Sequence, residues 1–271
     1  MIVKTVIFDI DGTLLPAGAA RFSQRTVQAL RMLQKQGTLV VIATGRALFA
    51  AKAVLGGFRP DILASANGNW IVDKSGAPVH ENRMTGEEMY ALVDYCEDYE
   101  LPLDFIFEDG YHAYVEYEAF VRYAEPHKNN HHFLVDGEDQ VRHLQSMPYG
   151  ASALLSEKDV AGFQKKYGYL GLRFVPFHGI HHDILRPGTN KAQALEQVLA
   201  AKGIGWKDVA AFGDGLNDAE LLRAAGTAVV MENGVEELRR QADLIAPDAA
   251  LDGAADVLER CFLERGREHV V

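Results

Sequence analysis

Asp9 and Asp11 stand two residues apart in TVIFDIDGTLL (residues 5–15), where an apolar run meets two carboxylates. On a strand, residues i and i+2 share a face and lie about 6–7 Å apart. The pair would then project from the carboxyl end of a central parallel strand, where open α/β sheets bind ligands. Gly12 allows a turn there without a side-chain clash. Two such carboxylates repel unless a cation or a proton joins them. A plain polar turn is the alternative, since Asp and Gly are common in turns. A calcium loop begun at Asp9 fails, because it needs Gly at 14 and Glu at 20 and finds Leu14 and Ala20.

Three further stretches offer matching chemistry. FGDGLNDAELL (212–222) delivers Asp214 between two glycines, with Asn217 and Asp218 opening a helix. Asp218 alone would pass for a helix cap. VVIATGR (40–46) ends a strand at Thr44, followed by Gly45 and Arg46. Thr44 reads as a helix N-cap whose hydroxyl and neighbouring backbone N–H groups also suit a phosphate. Arg46 reads as a substrate contact or a surface salt bridge. In PGTNKAQAL (187–195), Lys191 opposes the dipole of the helix it opens; taken alone it reads as a solvated surface lysine.

Together these stretches say more. Converging carboxylates cost a few kcal/mol per close pair, at an effective dielectric of about 20. A hard divalent cation removes that cost, and magnesium prefers a few carboxylates plus water. Thr44 and Lys191 supply donors for an oxyanion. The set reads as Mg²⁺-assisted phosphoryl transfer with an aspartate nucleophile. Asp11 is placed to serve as the base for the attacking water, which requires an approach of about 3 Å.

The elements that must position these groups alternate. Residues 2–8, 38–43 and 61–67 read as buried strands, and 24–36 as a helix capped by Ser23. A hairpin follows around Ser75-Gly76. After about residue 82 the texture changes: a helix over 86–98 with a Thr85–Glu88 capping box, strands at 103–107 and 111–115, a helix capped by Ser156 and Asp159, and strands at 169–176 and 180–186. From Lys191 the first texture returns, with helices over 190–202, 216–225 and 234–240, strands at 208–212 and 227–231, and a C-terminal helix. The expected fold is α/β: a doubly wound, mostly parallel Rossmann-like core from residues 1–82 and 185–271, and an inserted α/β domain, an antiparallel sheet plus helices, over 83–184.

Composition narrows the partners. The chain has 271 residues, 48% hydrophobic, with a net charge of −11. No basic cluster offsets that charge, which argues against nucleic acid and anionic membranes. The apolar runs are too short to span a bilayer, and Asp9 and Asp11 break the only N-terminal one, so no signal peptide is expected. Cys96 and Cys261 read as packing thiols in a reducing, cytoplasmic compartment. His127, His131 and His132 cluster, as do His178, His181 and His182. A transition-metal site is conceivable, but adjacent strand histidines face opposite ways, so both groups are read as polar surface.

DIDGTL, ATGR, NKAQAL and GDGLNDAELL, in that order, resemble the four motifs of the haloacid dehalogenase superfamily. The long insert is similar to the type IIB cap of its Cof-like phosphatases, and SANGNWIVD and AGTAVVMENGVEELRRQAD resemble further stretches of that subfamily. The resemblance implies that Asp9 attacks phosphorus and forms an aspartyl-phosphate. Asp11 would protonate the leaving oxygen and then deprotonate water. Thr44, Gly45, Arg46, Asn67, Lys191 and Asn217 would hold the substrate and its phosphate. Asp9, the Asp11 carbonyl and Asp214 would ligate Mg²⁺, with Asp218 supporting the metal's waters. Asp183 falls where the subfamily often has a carboxylate and reads as a hinge or substrate contact; Arg173 is also near the return to the core. Ile10 replaces the usual Leu, MEN (231–233) replaces Met-Gly-Asn, and APDAALDGAADVL lacks an Asn before its Gly.

The expected activity is hydrolysis of a small phosphorylated metabolite, a sugar phosphate or a cofactor phosphate. A phosphomutase similar to phosphomannomutase is the enzymatic alternative. A non-catalytic receiver-like module is disfavoured by the Asp9–Asp11 spacing and the long insert, and a P-type pump by the lack of membrane segments.

Overall fold

β-Branched runs with no polar face become strands buried on both sides. The computed structural model describes residues 3–124 and 131–263. The first segment gives β1 (Thr5–Phe8), α1 (Gln24–Lys35), β2 (Leu39–Ala43), α2 (Leu48–Val54), β3 (Ile62–Ser65), β4 (Trp70–Asp73) and β5 (Pro78–Glu81). The insert gives α3 (Gly86–Asp98), β6 (Leu103–Ile106), β7 (Tyr111–Val115), α4 (Tyr117–Ala124), β8 (Leu134–Asp136), β9 (Gly150–Leu154), α5 (Glu157–Tyr167), β10 (Arg173–His178) and β11 (His181–Leu185). The last segment gives α6 (Lys191–Ala201), β12 (Val209–Gly213), α7 (Ala219–Ala224), β13 (Thr227–Met231), α8 (Glu236–Arg239), β14 (Leu244–Ala246) and α9 (Gly253–Val257).

The first sheet runs β14-β13-β12-β1-β2-β3-β4-β5. It is parallel from β14 to β3 and ends in the antiparallel β4–β5 hairpin. Phe8 pairs with Phe212 on one side and Ile42 on the other, so β1, β2 and β12 end together. Val6, Phe8, Val40, Ile42 and Phe212 bury one face against α1, α2 and α9. Ile7, Val41 and Ala211 bury the other against α6 and α7.

The second sheet runs β10-β11-β9-β6-β7-β8 and is antiparallel apart from the β7–β8 pair. Helices α3 and α5 pack on one face through Leu92, Cys96 and Phe163 against Leu103, Phe105 and Ala153. The two expected capping boxes are formed: Glu88 N donates to Thr85 Oγ1 (3.2 Å) and Thr85 N to Glu88 Oε2 (2.8 Å), and Ser156 with Asp159 repeats the arrangement. Among the described residues no helix is long and apolar enough to cross a membrane.

Several local expectations are corrected. Strand β9, GASAL, sits at the middle of the second sheet although nothing in its sequence announces a strand. Its small residues lack β-propensity, and tertiary pairing on both edges overrides that weakness. Helix α4 and strand β8 were likewise not expected. The strand expected from 169 starts at Arg173, because a 3₁₀ turn over Gly168–Leu170 and a left-handed Gly171 (φ 68°) precede it. Thr44 is not an N-cap: α2 begins at Leu48 after Ala47. The helix expected over 216–225 is a 3₁₀ turn, Leu216–Asp218, followed by α7. Cys96 is buried as expected, but Cys261 is exposed.

Candidate active site

β1 ends at Phe8, so Asp9 and Asp11 lie in the turn beyond the strand and not on one strand face. Asp9 stays in register, its N–H donating to Phe212 O at 3.0 Å. Ile10 is fully buried in the core, so its replacement of the usual Leu keeps an apolar contact. Gly12 has φ 73°, a left-handed conformation favoured by glycine. A Cβ there would overlap the Asp214 carboxylate, so the glycine is also what lets that group approach.

The carboxylates converge from segments some two hundred residues apart. One oxygen each of Asp9, Asp214 and Asp218 lies within 4.8 Å of the others. No other set of His, Cys, Asp or Glu among the described residues does so. Lys191, the first residue of α6, is fully buried among them. Its Nζ donates to Asp9 Oδ1 and to Asp218 Oδ1, both at 2.7 Å. A solvated surface lysine is therefore excluded. Asp218 Oδ2 accepts from Asp214 N and Gly215 N, each at 3.1 Å. With both oxygens engaged, Asp218 anchors Lys191 and the Asp214 loop. Gly213 makes room for it, since a Cβ at 213 would stand 2.7 Å from Asp218 Cγ.

Electrostatics carry the mark of crowding. Burial pushes Asp9 well above the ordinary carboxylate range; Lys191 opposes this, while Asp218, Asp214 and Asp11 add to it. Asp214 is pushed up to about 7, by burial first and then by Asp218. Burial works against the Lys191 ammonium, yet Asp218 and Asp9 outweigh it and raise its pKa. One lysine is short of neutralising three carboxylates. The free oxygens of Asp9 and Asp214, in a nest cleared of Cβ atoms, fit a hard divalent cation.

Asp11 makes an ion pair beside this cluster. Its carboxylate is gripped by Arg46, with Nε to Oδ2 at 2.7 Å and Nη2 to Oδ1 at 2.6 Å. The pair is not a surface bridge, because the Arg46 side chain is only 9% exposed. Thr44 is buried, and its Oγ1 accepts from Arg46 N at 3.2 Å. Asn67 has a left-handed backbone (φ 55°). Its Nδ2 donates to Asp183 Oδ2 at 2.9 Å, and its Oδ1 accepts from Asn217 Nδ2 at 3.4 Å. Gly45 lies directly beneath Asp183: a Cβ there would be 2.7 Å from Asp183 Oδ2.

Three contributors had not been singled out from sequence. Thr13 donates Oγ1–H to Asp214 Oδ1 at 2.8 Å. Asn233, in the divergent MEN stretch, donates to Gly12 O at 2.8 Å and accepts from Ala249 N at 3.0 Å, tying the turn after β1 to the loop at Ala249. Tyr111 of β7 accepts from Ala47 N at 3.1 Å, joining the second sheet to the Thr44 loop. A Thr two residues after the second Asp was visible; the other two depend on long-range packing.

The histidine groups do not form a metal site among the described residues. His127 lies outside them, as do the side chains of His131 and His178. His132 is exposed beside Phe133. His181 packs edge-on to Tyr123 at 5.6 Å, whereas His182 is buried and bonds Ile180 O through Nδ1 at 3.0 Å. Arg173 pairs with Glu220 at 3.0 Å, bridging the second sheet to the segment that carries Asp218.

A profile of the haloacid dehalogenase-like hydrolases matches residues 6–258. The Bacillus subtilis protein YwtE, named a 5-amino-6-(5-phospho-D-ribitylamino)uracil phosphatase, is 24% identical over 95% of this chain and 98% of its own. The crystal structure of a Geobacillus kaustophilus HTA426 protein described as hypothetical is 31% identical with a TM-score of 0.83, over 96% of this chain and 99% of its own. The sugar phosphatase BT4131, described as HAD subclass IIB, shares the fold with a TM-score of 0.78 and 21% identity, over 95% of this chain and 98% of its own.

Proposed function

This chain belongs to the haloacid dehalogenase-like hydrolases and is a phosphoric monoester hydrolase, and from that premise we propose that it is a magnesium-dependent phosphatase of a sugar phosphate or cofactor phosphate. The observation that carries the reading is the buried bridge from Lys191 to Asp9 and Asp218 beside Asp214. It supports Asp9 as a nucleophile whose charge is balanced on one side by an ammonium. The names of a phosphoribitylaminouracil phosphatase and a sugar phosphatase among the similar proteins support the substrate class.

Asp9, Asp214 and the Asp11 carbonyl would hold Mg²⁺. When bound, the ion supplies positive charge against the phosphoryl oxygens. Asp9 attacks phosphorus; the bond from phosphorus to the ester oxygen breaks, and that oxygen takes a proton from Asp11. Water then attacks the aspartyl-phosphate, Asp11 takes its proton, and inorganic phosphate leaves with Asp9 restored. Thr44 Oγ1, the backbone at Gly45, Asn217 and Lys191 bind the phosphate oxygens. Arg46, which holds both Asp11 oxygens here, orients the group and must yield one oxygen before Asp11 carries the proton it delivers. Residues 83–184 act as a cap that excludes bulk water while the leaving group is bound.

The test is phosphate release from p-nitrophenyl phosphate with magnesium. Asp9→Asn should abolish it while the fold, read by circular dichroism, remains intact. Turnover at the wild-type rate would remove Asp9 as nucleophile.

A further inference from the structure

A cavity of about 220 Å³ is walled by Asn69, His80, Asn82, Thr189, Gln193 and Gln197. None of Asp9, Asp214, Asp218, Thr44 or Lys191 lines it. Asn82 belongs to the segment that leaves the first sheet after β5, and Thr189 to the segment that returns from β11 to α6. The flank of α6 and the loop after β3 complete the wall. The volume is about seven times the share of one water in the liquid, room for a small guest.

Two hydrogen-bond relays end at this wall with a donor unmet. Arg186 Nη1 donates to Asn82 Oδ1 at 2.5 Å. A guanidinium only donates, so that atom is the oxygen, and Asn82 Nδ2 donates to Asn69 Oδ1 at 3.1 Å. Asn69 is only 2% exposed, and its Nδ2 meets no acceptor among the described residues. At α6, Asn190 Oδ1 accepts from Gln193 N at 2.9 Å, so Asn190 Nδ2 donates to Gln193 Oε1 at 3.0 Å. Gln193 Nε2 is then a second donor with no acceptor among the described residues. A buried amide left unpaired destabilises the folded chain, and a guest that brings an acceptor removes that cost.

Among the described residues the wall carries no carboxylate, ammonium or guanidinium, and His80 is its one titratable side chain. Arg186, bonded to Asn82, is also engaged by Glu88 Oε2 at 2.7 Å. An anion would enter uncompensated, in a chain of net charge −11. Thr189 Oγ1 donates to Arg186 O at 2.8 Å, so its lone pairs remain acceptors. Hydroxyl groups, which both accept and donate, match this mixture.

We propose that this cavity is a second binding site, for an uncharged polyol or small free sugar whose hydroxyls accept from Asn69 Nδ2 and Gln193 Nε2. Its walls come from both segments that run between the two sheets, so a guest joins them. On the phosphatase reading, occupancy therefore opposes the movement of residues 83–184 and slows turnover from outside the active site.

The probe is ribitol, titrated into the isotope-labelled full chain without substrate. The side-chain amide signals of Asn69 and Gln193, assigned by their loss in Asn69→Asp and Gln193→Glu, should shift and saturate. Gln193→Glu, on the exposed flank of α6, keeps the oxygen that accepts from Asn190 and turns the donor into an acceptor. It should raise the ribitol Kd at least about tenfold with the fold intact. Signals that stay in place, or drift without saturating, mean that the cavity takes only water and overturn the site. Tighter binding of sulfate than of ribitol overturns the uncharged class. With magnesium and p-nitrophenyl phosphate, saturating ribitol should lower kcat at least about twofold in wild type and not in Gln193→Glu. Saturable binding with kcat unchanged, or with a rise in KM alone, overturns the coupling and leaves the site. If no phosphate is released from p-nitrophenyl phosphate, the phosphatase reading fails, while the titration still decides the site.

Discussion

Lys191 shows how one side chain can be structural and chemical at once. Its ammonium is fully buried and touches Asp9 and Asp218, each at 2.7 Å. Removing one member of a buried charged set leaves the rest uncompensated, at a cost of about 3–5 kcal/mol. Lys191→Met should therefore lower the urea-unfolding free energy by about that amount, measured in EDTA, and also abolish phosphate release. A loss below about 1 kcal/mol would mean that the bridge contributes little to the fold. Arg46 is the contrasting case. It holds Asp11 from the rim, so Arg46→Lys, which cannot form the two-point grip, should keep the fold and lower kcat by about tenfold or more. Unchanged kcat would show that the grip plays no part in turnover.

At the scale of elements, the turn after β1 depends on a glycine. Gly12 has φ 73°, and any Cβ would enter the Asp214 carboxylate. Gly12→Ala should cost about 1–2 kcal/mol from the left-handed backbone alone, read as a lower melting temperature, together with loss of magnesium-dependent activity. The β6–β9 pair gives a pH signature. Asp104 is raised in the folded chain to about 7, against roughly 3.9 when unfolded. The folded state therefore binds its proton more tightly. Stability from this group is complete below about pH 4 and is lost as pH rises through about 7. Asp104→Asn lacks that loss, so its stability relative to wild type should rise between pH 5 and 8, by on the order of a few kcal/mol. Urea midpoints that shift in parallel at both pH values would contradict this.

For the whole molecule, the site exists only because β1 and β12 are neighbours. Asp9 and Asp214 come from opposite ends of the chain and are joined by pairing such as Phe8 with Phe212. EDTA should stop phosphate release and excess magnesium should restore it; a rate indifferent to chelator would refute the metal. The second sheet closes over this rim through Asn67–Asp183, Ala47–Tyr111 and Arg173–Glu220. Arg186–Glu88 and the stack of Trp70 on Tyr149 add to these contacts between the two sheets.

Motif order was enough to expect Asp9, Lys191, Asp214 and Asp218 together at one rim of an α/β core, where the structure brings them, because short strand-end motifs carry their chemistry locally. It was also enough to expect the capping boxes at Thr85 and Ser156, where three residues settle the geometry. It could not supply the partners. Nothing near Asp11 in the chain announces Arg46, and nothing in GASAL announces the middle strand of a sheet. Thr44 looked like a helix cap because local spacing cannot show that the loop continues to Ala47. Which carboxylate meets an ammonium, a guanidinium or only a serine hydroxyl depends on which strands lie side by side. Pairing and burial are long-range, so tertiary structure alone put Lys191 among the acids and left Asp104 without a counter-charge.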